Sequence, residues 1–558
     1  MINNTHDTDI STISISEVFM ALVAGNILDE TFESSRIGKL SRLTTTQRDL
    51  YLDNILHPDS TIFSLGLSIK LPANLDRFIW EQAVKIVCQA DDTIKTKFIF
   101  YRNEAFQFVD KNADIHFEFI DIEHNNYHNL EKIIQDKIKV KVELNKDYLF
   151  KNILVKEQHG NYTAILGAPH ILFDGYSGKV FFERVGKVYL DLKAGNIPVK
   201  FEVSSFYDGV EEHLLRFDTQ EIQDYWQESL SKITPVTSYI KPKEKNKPQS
   251  QKIQITGNQL AEIRKYCQLN KCSLPAFFKS VYGIYLSKYL QAPGDFVFYD
   301  IIGKREQQNL DVLGCLYQVV PIIIPENKLD KNSKILDYVA YISDYRKNLQ
   351  HYQNISVFLQ TKIIKDEQLK FFYNFYNFSI INLPLTEEHL RLTIHNSFAD
   401  NEIHLIINDF LETLEMEIFY NEASFVYIKV LERLLFLANQ IIQNSEYFHQ
   451  LKLLSPSEKK ELLDNWNQTN TNYALDKCVH QLFEAQVERS PHTLAVIQEA
   501  ENHSEQSSLT YQNLNQRANQ LAHYLHSLGV KPDMPVGICV ERTLEMAIAV
   551  LAVLFLLL

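Results

Sequence analysis

In the segment Ala168-Pro169-His170-Ile171-Leu172-Phe173-Asp174-Gly175-Tyr176-Ser177-Gly178, a histidine, an aspartate and a serine stand close together. An imidazole has an ordinary pKa near 6.5, so at neutral pH it can accept a proton from a nucleophile as a bond forms. It does so only where the chain presents it to a cleft. The stretch before it, Tyr162-Thr-Ala-Ile-Leu166, reads as an apolar strand, and Asp174-Gly175 reads as a tight turn. A helix follows over Lys179 to Leu192. The chain has 18 histidines, and spacing alone favours a satisfied structural role for this one. The strand–His-x-x-x-Asp-Gly–helix arrangement is what makes His170 a candidate proton acceptor.

From about Leu43 to Asn444 helical and strand patterns alternate, with no internal repeat and no long low-complexity tract. Leu274, Phe277, Phe278, Val281, Tyr282, Tyr285 and Tyr289 recur at helical spacing, with Ser273 as the N-cap and Pro275 in the first turn. A second helix is predicted within Phe425 to Ile442, and strands at Ile62–Leu71, Val319–Ile324 and Ile403–Ile407. Lys241 to Ser250 is Lys/Pro-rich and polar, an exposed connection between two halves. Leu454 to Lys460 opens a linker, and residues 476–558 carry their own helix and strand alternation. At the front, Ile15 to Gly25 has a short helical pattern within an acidic arm.

With 558 residues the chain is long enough for three to four domains, at roughly 150 residues each. Fifty-six Lys and Arg against 70 Asp and Glu give a net charge of −14, which argues against nucleic acid as a partner. A hydrophobic content of 45% excludes a mostly disordered chain. The six cysteines, at 88, 267, 272, 315, 478 and 539, form no CxxC and no zinc-type spacing. They read as reduced, buried small residues of a cytoplasmic protein, without a metal site. Met1 to Asp9 carries no Lys or Arg and is not a secretory signal. The apolar run Met546 to Leu558 would make a helix of about 20 Å, short of the roughly 30 Å a bilayer requires.

The His170 segment resembles the central His-His-x-x-x-Asp-Gly motif of the condensation domains of nonribosomal peptide synthetases. It keeps His170, Asp174 and Gly175, with Pro169 at the first His. Other motifs follow in order. Gly303-Lys304-Arg305 is similar to the family's Gly-x-Arg stretch, and Thr44 to Tyr51 to its Ser-x-Ala-Gln-x-Arg-Leu-Trp start, with Asp49 at the usual Arg. Ala90 to Phe98 sits where Arg-His-Glu-x-Leu-Arg-Thr-x-Phe is usual, with Asp91 in its first half. Asp224-Tyr225-Trp226-Gln227 resembles the family's Tyr-Trp helix, and Gly314 to Val319 its Gly-x-Phe-Val-Asn-Thr, with Gln318 for Asn. The resemblance covers about residues 40–450.

Leu462 to Thr469 resembles the family's linker ending in Trp-Asn-x-Thr. Val479 to Pro491 and Leu509 to Leu525 resemble the opening of an adenylation domain. The family's ATP loop and catalytic Lys lie beyond that opening, so the resemblance implies a truncated synthetase that does not activate amino acids. Residues 476–558 are then expected to be poorly packed, with Val550 to Leu558 lacking the strands that would bury them. Residues 15–31 loosely resemble docking segments; a loosely packed arm is the alternative.

The resemblance implies an α/β fold: two chloramphenicol-acetyltransferase-like lobes, about 38–240 and 251–450, in a V-shaped pseudo-dimer. An arm (1–37), a linker (451–475) and an adenylation-domain fragment (476–558) complete the chain. It also implies His170 as the catalytic residue, with Asp174, Gly175 and Arg305 supporting the site and Asp174 paired with Arg305. No cofactor is held by the chain itself. Donor and acceptor carrier proteins of other synthetase subunits would bring thioester substrates on 4′-phosphopantetheine arms, the donor arriving in trans. The activity implied is amide formation, including starter-type N-acylation. A catalytically degenerate carrier-protein-binding module is the alternative, and an ester-forming acyltransferase is a third reading.

Overall fold

The computed structural model describes residues 37–556, with Val18 and Met20 before them, apart from 62, 103, 123–128, 140, 142, 146–147, 197–202, 210–218, 234–247, 291–293, 350, 365–370, 384, 386–388, 396–402, 422–428, 444, 473–475 and 499–506. The arm and the Lys/Pro-rich stretch up to 247 therefore lie outside the described residues, save Val18 and Met20. The chain divides into two compact units, Met1–Ser455 and Pro456–Leu558. Leu451 is buried in a core of the first unit, and the division falls within the 451–475 segment read as a linker.

Two six-stranded mixed sheets organise the first unit. One has the order Ile380–Ile381, Leu390–His395, Ser64–Leu71, Tyr162–Pro169, Lys151–Lys156, Phe117–Asp121. Its pairs are antiparallel except the last, which is parallel. The other runs Tyr317–Ile324, Phe296–Gly303, Phe371–Tyr376, Ile403–Asp409, Thr413–Asn421, Pro248–Thr256. Alternation of large apolar residues gives each sheet a face that helices cover: Gly175–Lys193 and Arg77–Ala90 on the first, Leu274–Leu290 and Val430–Ile442 on the second. A three-stranded sheet, Ile37–Arg42, Glu104–Asp110 and Thr96–Tyr101, stands beside the first. No described helix is long and apolar enough to cross a membrane.

The halves exchange elements, which corrects the simple 38–240 and 251–450 division. In the helix Gln220–Leu230, Ile222, Trp226 and Leu230 fall on one face and are buried in the second core. There Trp226 donates from its indole N–H to the Tyr352 carbonyl, and Tyr225 stacks on Tyr352 at 4.0 Å. In return Leu390–His395 pairs antiparallel with Ser64–Leu71, and Leu383, Leu390 and Leu392 enter the first core.

The second unit is better packed than the sequence suggests. A hairpin of Leu494–Gln498 and Ser507–Thr510 packs with the helices Val479–Arg489, Tyr511–Ser527 and Leu544–Phe555. Ala518, Ala522 and Ala552 let two of these helices close on one another, and Ile548 and Phe555 are buried at that contact. The expectation of an unpartnered tail is corrected in part: Ala552 and Phe555 are buried, but Met546 and Val550 stay 42% and 43% exposed, and Leu482, Leu494, Ile497 and Leu528 are exposed elsewhere in the unit. The cysteines divide as well: Cys88, Cys267 and Cys315 are buried, whereas Cys478 and Cys539 are exposed, against the expectation that all are buried.

Candidate active site

The strand Tyr162–Pro169 delivers His170 to the seam between the two halves of the first unit. Its terminal pair is Pro169 with Ser64, and the His170 N–H donates to the Phe63 carbonyl at 2.7 Å, so the backbone is held on both sides. A turn follows, with Leu172 N–H to Pro169 carbonyl at 2.9 Å and Phe173 N–H to His170 carbonyl at 3.3 Å. The helix starts at Gly175, earlier than the sequence predicts, because Asp174 is its N-cap and accepts from Ser177 N–H at 2.7 Å. Gly178 lets this helix lie close on the sheet: a Cβ there would fall 2.2 Å from Leu67 Cδ1. At Gly175 a Cβ would press at 3.2 Å on Phe378, from the second half.

Asp174 does more than cap. Arg305 Nη2 stands 2.8 and 3.0 Å from its two oxygens and 2.8 Å from Ser177 Oγ. The Leu316 N–H donates to Asp174 Oδ2 at 3.0 Å, and Ser177 Oγ contacts the Gly314 carbonyl at 3.0 Å. Both charged side chains are almost fully withdrawn from water, 6% exposed for Arg305 and 7% for Asp174. The guanidinium also donates to the carbonyls of Asn309 and Val312, and it lies over the Tyr176 ring. This network ties the His170 turn to the 305–316 loop of the other half.

The unusual residues of the cleft each have structural partners. Asp49 accepts from Ser356 Oγ at 2.6 Å and Val357 N–H at 2.7 Å, at the start of the helix Val357–Ile364. Gln318 is buried; its amide donates to the Ile355 carbonyl at 2.6 Å, and Thr46 Oγ1 lies 2.9 Å from its Oε1. Asp91 pairs with Arg184 at 2.8 Å. Beside Pro169 and Ile171 opens a groove lined by Leu50, Phe63 and Leu144 and, in equal measure, by polar residues that include Asp53 and His57.

His170 is half-buried and its Nδ1 finds no hydrogen-bond partner. Burial holds the imidazole down to about 4, against the opposing pull of the Asp174 charge and the Phe173 backbone. The value near 6.5 assumed for a cleft-exposed ring is corrected accordingly, and the ring is neutral at pH 7. Its edge meets Tyr317, with ring centroids 5.4 Å apart and planes at 61°. The sequence analysis gave no role to Tyr317, Leu316 or Gln47, whose side-chain amide donates to the Ile171 carbonyl at 3.1 Å. Their roles come from contacts with residues distant in sequence, which no local pattern marks.

His395, hydrogen-bonded at 2.8 Å to Ser68, is likewise held down to about 4 by burial. Unfolded histidines titrate near 6.5, so between pH 6.5 and 4 the unfolded chain binds protons that the folded chain does not. Stability must therefore fall as pH falls through that window, by up to about 1.4 kcal/mol per pH unit for each group. Urea titrations across this range should show a shallower fall for His170→Gln than for the wild type. An identical slope in the two proteins would contradict the burial argument.

Comparison with known proteins places these features in a family. The family model described as "Condensation domain" matches residues 39–463, and one described as "AMP-binding enzyme" matches 483–556. Gramicidin S synthase 2 of Brevibacillus brevis is 24% identical over 94% of the chain, and surfactin synthase subunit 2 of Bacillus subtilis (strain 168) is 23% identical over 93%. The chain spans 12% and 15% of the length of these two relatives. Among solved structures, a four-domain nonribosomal peptide synthetase bound to AMP and glycine aligns with a TM-score of 0.71 at 14% identity, covering 93% of this chain and 41% of that one. The first condensation domain of the calcium-dependent antibiotic synthetase, in complex with a substrate analogue, aligns at 0.64 and 14% identity, covering 75% of this chain and 100% of that one.

Proposed function

The chain belongs to the condensation-domain family of nonribosomal peptide synthetases, and on that premise we propose that it joins a carrier-bound thioester donor to an amine acceptor through an amide bond. The observation that carries this reading is the neutral, half-buried imidazole of His170 at the seam between the halves, on a turn that the Asp174–Arg305 pair anchors to the other half.

In the proposed reaction the acceptor amine attacks the thioester carbonyl, the C–N bond forms, and the C–S bond breaks to release the carrier's thiol. The nitrogen must shed one proton and the departing sulfur must gain one. A neutral imidazole can take the first, which general base catalysis rewards by about 10²–10⁴-fold. Holding two tethered substrates in line contributes at least as much. The carrier proteins and synthetase subunits that deliver those substrates are the partners this reading requires, and the cytoplasm is where they would be met.

The second reading is a binding module that docks carriers without forming a bond, favoured by Pro169, which offers no side-chain donor next to His170. The test is to mix the full chain with carrier proteins loaded with an acyl donor and an aminoacyl acceptor, the donor series including a fatty acyl group as a starter unit. Mass spectrometry of the acceptor carrier should show the condensed product. Carrier binding without any product across the series would reject the catalytic reading in favour of the module.

A further inference from the structure

Catalytic histidines are commonly oriented by a carboxylate that binds the far ring nitrogen. His170 has no such partner: Nδ1 is buried without a hydrogen bond, and the neighbouring Asp174 is engaged by Ser177, Arg305 and Leu316. What meets the ring instead is Tyr317, edge-on at 5.4 Å. Tyr317 comes from the other half of the unit, and its backbone is firmly set. It pairs with Gly303 in the antiparallel register, and Thr46 Oγ1 lies 3.0 Å from its carbonyl oxygen. On one side Leu316 is tied to Asp174; on the other, buried Gln318 is tied to Ile355.

We propose that Tyr317 is the positioning residue of this site, fixing the plane of the His170 ring and closing its buried edge to water. The inference rests on the reading of His170 as the proton acceptor. Aromatic packing does here what a carboxylate does elsewhere, with a different electrical result: the ring is aligned without a counter-ion that would favour its charged form. The ionisable groups around the two rings are Asp174, which faces both, and Asp49, Cys315 and Tyr376 on the Tyr317 side. Burial pushes the Tyr317 phenol and the Cys315 thiol well above their usual values, so neither carries charge at neutral pH. The ring of Tyr317, not its hydroxyl, is then the working part.

The test uses the full chain carrying Tyr317→Phe, Tyr317→Leu or Tyr317→Ala, with the Leu variant deciding if Ala does not fold. Carbon-13-labelled histidine gives the His170 titration by NMR, its signal identified by its loss in His170→Gln. Phe should leave the titration in place, whereas Leu should raise it by about one pH unit or more as water reaches the ring. Amide formation should stay within about threefold of wild type for Phe and fall at least about tenfold for Leu. A folded Leu variant with an unmoved titration or wild-type turnover overturns the proposal, as does a large loss in Phe. The titration needs no substrate, so it decides the positioning role even if the wild type forms no amide.

Discussion

Changing Asp174 to alanine is expected to cost the first unit about 3–5 kcal/mol and to remove condensation activity with it. The size of the effect comes from what is left behind. Arg305 is 6% exposed, and its remaining acceptors, two carbonyls and the Ser177 hydroxyl, carry no charge. A buried guanidinium stripped of its carboxylate keeps its desolvation cost and loses its compensation. The helix Gly175–Lys193 also loses its N-cap, ordinarily worth about 1 kcal/mol, and Leu316 loses the acceptor for its N–H. Asp174→Asn, which preserves the cap but not the charge pair, should fall between alanine and wild type. Urea midpoints at pH 7.5 rank the three proteins. A midpoint for the alanine variant indistinguishable from wild type would mean that the ion pair is not formed in solution.

His170→Ala should give the opposite pattern, with chemistry lost and the fold kept. The imidazole makes no hydrogen bond through Nδ1, so its removal strands no partner at that nitrogen. Turnover should fall about 10²–10⁴-fold, while carrier binding and the unfolding midpoint near neutral pH change little. Because the wild-type ring stays neutral down to about pH 4, its protonation should not limit turnover over pH 5–7, and any fall there should follow protonation of the acceptor amine, ordinarily about 7.7–8.0. Rate measurements on loaded carrier proteins over that range check both points. Full activity in the alanine variant would assign proton transfer to the substrates or to water.

Local pattern made much of this legible. The helix Leu274–Leu290 and the strand Tyr162–Pro169 follow from periodicity, whereas the expected Asp174-Gly175 turn is instead the cap and first residue of a helix. Long-range pairing was not legible. Leu390–His395 alternates as any strand does, and nothing in those residues says that it joins Ser64–Leu71 in the first sheet. Asp49 reads as a departure from a motif until the helix it caps, more than 300 residues later, is brought to it. The depressed basicity of His170 arises from what surrounds the ring in space, which no spacing rule encodes. The second unit misled for a related reason: the alanines that let its helices close are unremarkable in sequence.

The strand Leu390–His395 also has a meaning in time. Synthesis at about 5–20 residues per second leaves roughly 15–65 s between the emergence of Leu71 and of His395. Throughout that interval the Ser64–Leu71 strand has a bare edge, with unpaired peptide groups and an apolar face beside it. Cotranslational folding of the first sheet therefore stops two strands short, and completion waits for Ile380–Ile381 and Leu390–His395, made in the second half. Proteolysis of chains stalled on the ribosome before and after residue 395 would reveal the step as a sudden gain of resistance in residues 64–71. The first half is thus sealed by residues made more than 200 positions after its own helix Gly175–Lys193 begins.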